Sequence, residues 1–169
     1  MSHALLRATT LSLLVGACSL LPAGPLAAQD DDARADELSA EAHRIAEDMT
    51  RWAEAARVHE ESGLLRMKGD TRAYLSFSHA ARLYYHAGEL RDSEKMFEAA
   101  GDRALETGDV YNAAIAFFNA AAVAQENGRD RDAQKLGWKA HKLSRSQLLN
   151  DEQRKSLTSR YQVLETGRM

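Results

Sequence analysis

The residues able to do chemistry are histidines and carboxylates on stretches that read as helices, and their spacing decides what that chemistry could be. His59-Glu60 opens like the zinc-hydrolase helix motif, which needs a second histidine one turn on so that two imidazoles share a face, but Gly63 stands at that place. His79 and His86 lie seven residues apart, on one helical face but two turns from each other, too far to hold one ion without a third ligand between them. His43 and Glu47 stand at i and i+4. That spacing serves a metal pair or a surface pair, and the surface pair is the commoner outcome. The sequence has no Gly-rich phosphate loop, no Gly-x-Ser-x-Gly elbow and no Asp-x-Asp-x-Asp-Gly calcium loop. Catalysis, a bound metal and a cofactor are all unexpected on these grounds, and the remaining chemistry is recognition.

The residues suited to recognition surround Tyr84-Tyr85-His86, and placing them requires the elements that carry them. Lys68-Gly69-Asp70 is echoed by Thr107-Gly108-Asp109, and Gly88-Glu89-Leu90-Arg91-Asp92 by Gly128-Arg129-Asp130-Arg131-Asp132, so two sets of landmarks recur 39 to 40 residues apart. Repeats of this length mark helix–turn–helix units that bury their apolar faces only against their neighbours. Each glycine closes a helix, and the aspartates after Gly69 and Gly108 are placed to cap the next one. Helices are expected over about 71–87, 92–107, 110–127 and 130–145. A last helix starts at Asn150-Asp151, with Gln153 placed as the return partner of a capping box, and its stripe Leu157, Tyr161 and Leu164 can cover the end of the stack. Gly167-Arg168-Met169 is expected to fray.

Before this region two arguments conflict. Leu38, Ala42, Ile45, Met49, Trp52 and Ala56 keep one amphipathic phase, as a single long helix to Lys68 would. The 40-residue period instead puts a turn near Asp48 to Arg51, with Thr50 as the cap. The hairpin is adopted because the repeat needs it. Asp30-Asp31-Asp32 is expected to sit at the positive start of the first helix as a solvated cap.

The repeat resembles a tetratricopeptide repeat in the longer-helix variety of SNAP-like solenoids. Phe77, Ala80, Ala81 and Tyr84 match the family's first helix, and Phe117, Ala120 and Ala121 match it one period on, with Ala124 in place of the aromatic. Gly88 and Gly128 match the turn glycine. Ser93, Phe97 and Ala100, then Ala133, Gly137 and Ala140, match the second helix, Gly137 standing where an aromatic belongs and Leu136 or Trp138 taking its place in packing. The closing proline is absent from every unit, and the period exceeds the family's 34 residues. The match is good over 71–143 and poor over 33–69. The resemblance implies an all-α fold, a short right-handed α-solenoid of about three antiparallel helix hairpins with a C-terminal capping helix. It further implies protein–protein interaction through a concave groove lined by the first helices.

In that register Tyr84 points inward, so Ser78, Arg82, Tyr85 and His86 face elsewhere, with Phe118, Ala122, Gln125 and Glu126 as their counterparts one unit later. Ser78, Arg82, Tyr85, His86, Phe118 and Gln125 are taken as the partner-binding set, since aromatics and arginine carry much of the energy of interfaces. The competing reading buries Tyr85 and Phe118 against the adjacent unit or the N-terminal helices.

The 169 residues carry 22 Lys and Arg against 25 Asp and Glu, a net charge of −3 with the signs interspersed. Nucleic-acid binding needs a basic patch or stripe, which this pattern lacks. Pro22, Pro25 and Cys18 all precede residue 29, leaving the rest without helix breakers, disulfides or thiolate metal sites. Residues 1–28 have the layout of a secretory signal peptide: Arg7, an apolar run over 8–21, then small residues up to Ala28. The apolar run is short of a membrane span. Val15-Gly16-Ala17-Cys18 also resembles a bacterial lipobox, which would make Cys18 a lipid anchor, but the chain continues apolar beyond it and the cleaved signal is favoured. Residues 29–169 then form the exported domain, periplasmic or secreted. The expected function is a non-enzymatic interaction module that holds a peptide or helix of a cell-envelope protein; the alternative is a carrier or sensor of a small apolar ligand between helices.

Overall fold

The computed structural model describes residues 25–66 and 69–165. Cys18 and residues 1–24, which include most of the expected signal peptide, lie outside the described residues, as does Gly167-Arg168-Met169. Seven α-helices are described: α1 (Pro25–Ala46), α2 (Trp52–Leu65), α3 (Thr71–His86), α4 (Leu90–Glu106), α5 (Val110–Glu126), α6 (Asp130–Ser144) and α7 (Asp151–Glu165). From α1 to α6 each helix packs on its predecessor and its successor, and α7 folds back onto α5 and α6. The fold is therefore all-α and solenoid-like, three hairpins closed by a seventh helix.

The turns follow from glycine. Gly88 and Gly128 adopt φ of 80° and 70°, and Gly69 and Gly108 are left-handed too, whereas no other described residue has a positive φ. A Cβ would strain that conformation, so the repeated glycines fix where each helix stops. The Asp70 carboxylate accepts from Arg72 N at 2.8 Å and that of Asp109 from Asn112 N at 3.1 Å, capping α3 and α5 as expected. Asn150 and Gln153 form the reciprocal capping box of α7, at 2.8 and 3.1 Å.

The N-terminal unit is a hairpin. The apolar stripe is buried through Ile45, but Met49 is 71% exposed in a short 3-10 turn, Met49–Arg51, that reverses the chain. Thr50 does not cap it: Asp48 accepts from both the backbone N and the hydroxyl of Thr50, because the aspartate sits two residues before the N–H that needs an acceptor. Asp30-Asp31-Asp32 is not at a helix start either. α1 begins at Pro25, a residue tolerated in the first turn, so the three aspartates lie further along the helix and the expected 28/29 boundary falls within it. Asp32 instead binds Arg72 at 3.0 Å; Asp36 binds Arg72 at 3.0 Å and the buried Arg66 at 2.7 Å, tying α1 to the ends of α2 and α3.

Between units, a side chain of one hairpin settles onto a glycine of the previous one. A Cβ built on Gly63 in α2 would lie 3.0 Å from the Phe77 ring of α3, and one on Gly101 in α4 would lie 2.7 Å from the Phe117 ring of α5. At Gly137 in α6 the space is taken by Leu164 of α7, 2.8 Å from such a Cβ. The aromatic that the repeat lacks at Gly137 is thus replaced by Leu164 from outside, with the buried Leu136 beside it; Trp138 is 64% exposed. Leu157 of α7 is fully buried, so this helix belongs to the core. Leu157→Ala is expected to cost roughly 2–5 kcal/mol, measured as a lower urea midpoint by circular dichroism. A loss below ~1 kcal/mol would mean that α7 is dispensable to the fold.

Candidate functional site

The faces of α3 and α5 that turn away from the core border one open hollow of about 800 Å³. Arg82, Tyr85 and His86 come from α3, Ala122, Gln125 and Glu126 from α5, and Phe97 of α4 lies against its wall. Two contacts hold the α3 side in place. The Tyr85 hydroxyl donates to Glu126 Oε2 at 2.9 Å, spanning the hollow from one first helix to the next, and the nearby carboxylate raises the hydroxyl's pKa. The His86 ring lies 5.2 Å from that of Trp52, whose Nε1 donates to the Ala46 carbonyl at 3.2 Å. Tyr84 faces the other way as expected: it is buried and donates to Glu60 at 3.0 Å. Burial first, and Glu60 second, raise its pKa.

Of the six residues taken for partner binding, Arg82, Tyr85, His86 and Gln125 line this hollow, and two do not. Ser78 is half-buried away from it. Phe118 is only 5% exposed, its ring 6.2 Å from Tyr161, and it is a core residue. The reason is the last helix: Phe118 lies on the flank of α5 that α7 covers, a contact no repeat register contains. Ile115, Asn119 and Arg160 line the hollow and were not anticipated. Ile115 and Asn119 precede Ala122 and Glu126 at helical spacings of seven, and so could be found by extending the face; Arg160 arrives from α7.

No protein-family model matches the chain, and no curated protein or solved structure matches it significantly. The site must be read from its own geometry.

A second polar cluster lies in the N-terminal half. His43 of α1, His59 of α2 and His79 of α3 bring their rings to within 4.8–5.3 Å of one another, with His43 Nδ1 and His59 Nε2 hydrogen-bonded at 3.0 Å. Sequence spacing gave no sign of this, because each histidine stands on a different helix; the anticipated His43–Glu47 pair is not formed, since α1 ends at Ala46 and Glu47 lies in the turn after it. No three His, Cys, Asp or Glu side chains among the described residues converge as a metal-binding group. His59 is 2% exposed and its Nδ1 is buried without a hydrogen-bond partner. The tautomer that leaves no buried N–H unmet has His59 donating from Nε2 to His43, with Nδ1 a bare acceptor.

Burial, reinforced by His79 and His43, lowers the His59 pKa to about 3, and burial lowers that of His79 as well. The unfolded chain takes up protons near pH 6.5 that His59 and His79 refuse in the folded state, so their contribution to stability is full above that pH and falls progressively towards pH 3. Unfolding free energy is expected to drop below pH 6.5, His59 alone contributing a slope approaching ~1.4 kcal/mol per pH unit, and His59→Asn should flatten the slope by that share in denaturant titrations across pH 4–7. An unchanged slope would assign the pH dependence to other groups.

Proposed function

We propose that this chain is an exported, non-enzymatic interaction module that holds a peptide or helix of a cell-envelope protein in the groove between α3 and α5. The observation that carries the reading is the convergence of Arg82, Tyr85, His86 and Gln125, from two separate repeat units, on one open hollow of about 800 Å³. Outward aromatic and arginine side chains over a floor of small and apolar ones make the composition of a recognition surface. The charged rim of Arg82, Glu126 and Arg160 favours a peptide over a small apolar ligand, which would leave those groups poorly solvated. The resemblance to tetratricopeptide repeats supports the same use of the first helices, and the signal-like layout of residues 1–28 supports export.

Affinity isolation with the full chain tests the reading. Ala122→Trp fills the groove without adding charge and Tyr85→Ala removes its aromatic wall, and both should abolish retention of the partner while leaving the melting curve nearly unchanged. Phe118→Ala should instead destabilise the fold by roughly 3–5 kcal/mol. A partner retained equally by the first two variants would place its binding outside the groove. N-terminal sequencing of exported protein should begin at Gln29; a lipid-modified Cys18 would replace the cleaved-signal reading with an anchored one.

A further inference from the structure

Resting on the groove reading, we infer that the segment it holds is acidic, an apolar anchor flanked by Asp or Glu. Arg82 of α3 and Arg160 of α7 reach the same hollow, both are exposed, and neither has a carboxylate within ion-pair distance among the described residues. Among the described residues the hollow is lined by these two guanidinium groups and one carboxylate, Glu126, which is engaged by the Tyr85 hydroxyl and pairs with neither arginine, so one positive charge is left in excess. Positive charge therefore collects in the groove of a chain whose net charge is −3. Such a concave cluster attracts an anion and steers its approach.

The second observation concerns hydrogen bonding. Gln125 borders this hollow and also a second one between α5, α6 and α7, and its Oε1 is buried without a hydrogen-bond partner. A buried acceptor without a donor costs free energy until something supplies an N–H. The occupant that satisfies both features brings carboxylates for Arg82 and Arg160 together with an N–H for Gln125. A peptide carries that N–H along its backbone and the carboxylates on its side chains, whereas inorganic phosphate or a fatty-acid carboxylate offers no N–H. Ile115, Ala122 and Phe97 supply the apolar surface against which its anchor rests.

Selection of a random-sequence peptide display library on the immobilised full chain tests this. Recovered binders should be enriched in Asp and Glu around an apolar residue. A synthesised binder should lose affinity roughly tenfold or more to the R82Q/R160Q double variant, and equally when its own acids are replaced by amides, with binding that weakens as salt is raised. Unchanged melting of the double variant separates lost contacts from lost structure. Binders that are lost on A122W but show no acidic enrichment and bind R82Q/R160Q undiminished would overturn the acidic assignment while leaving the groove in use. Failure to recover any peptide whose binding A122W removes would overturn the groove reading itself. Self-association abolished by R82Q/R160Q, seen by sedimentation, would put a second copy in the groove in place of an acidic partner segment and likewise overturn the inference.

Discussion

Successive hairpins approach one another only as closely as the glycines of their second helices permit. The Phe77 ring rests on Gly63, the Phe117 ring on Gly101 and Leu164 on Gly137, each an apolar side chain entering a notch where even a methyl group would meet it at 3.0 Å or less. A glycine inside a helix costs roughly 0.5–1 kcal/mol against alanine, so a notch in three helices is a local concession that only close packing repays. Phe117 is gripped from both sides, since Lys139 Nζ of α6 lies 3.8 Å from its ring centroid and is itself fixed by Asp102 at 2.8 Å. The contact between units is therefore specific as well as close, and it sets the spacing of α3 and α5 on which the groove depends. Packed interiors transmit displacement rather than absorb it, so a shift at a notch would be felt at the groove wall.

The same packing decides what faces the groove. With Phe77, Tyr84 and Phe117 turned inward, the 3.6-residue period leaves Arg82, Tyr85 and His86 on one helix and Ala122 and Glu126 on the other facing open space. The bridge from Tyr85 to Glu126 then crosses from one unit to the next. The first hairpin contributes by another route: Trp52 of α2 seats His86, while the three clustered histidines join α1, α2 and α3, with burial holding His59 and His79 towards the neutral form. Acid should therefore weaken the joint between α1, α2 and α3, which supports one rim of the groove.

What was legible in the sequence was local or periodic. Glycines that need a left-handed conformation, aspartates that cap the helix after them, and the Asn150–Gln153 box are written within a few residues, and each sits where the spacing put it. The period also resolved the first hairpin against an unbroken amphipathic stripe, and the exposure of Met49 shows why the stripe misled: a helical phase can continue by chance across a turn. What was illegible arises between helices remote in sequence. Phe118 has the composition of a binding residue and is buried because α7 folds over it; Arg160 reaches the groove by the same fold-back. The histidine cluster joins positions 43, 59 and 79, whose intervals of 16 and 20 match no single-helix face. Gly137 looked like a defect in the repeat until Leu164 was found in its place.

A double-mutant cycle on one notch addresses the dependence of the fold on these contacts most directly. Gly101→Ala should destabilise the parent chain, despite a helix-propensity gain of ~1 kcal/mol, because the Phe117 ring leaves no room for the methyl group. In the F117L background, where the ring is gone, the same substitution should be neutral or stabilising, giving a coupling free energy of at least ~1 kcal/mol from urea unfolding. Additive effects, equal in the two backgrounds within about 0.3–0.5 kcal/mol, would contradict the claim that a ring seated on a glycine sets the distance between repeats.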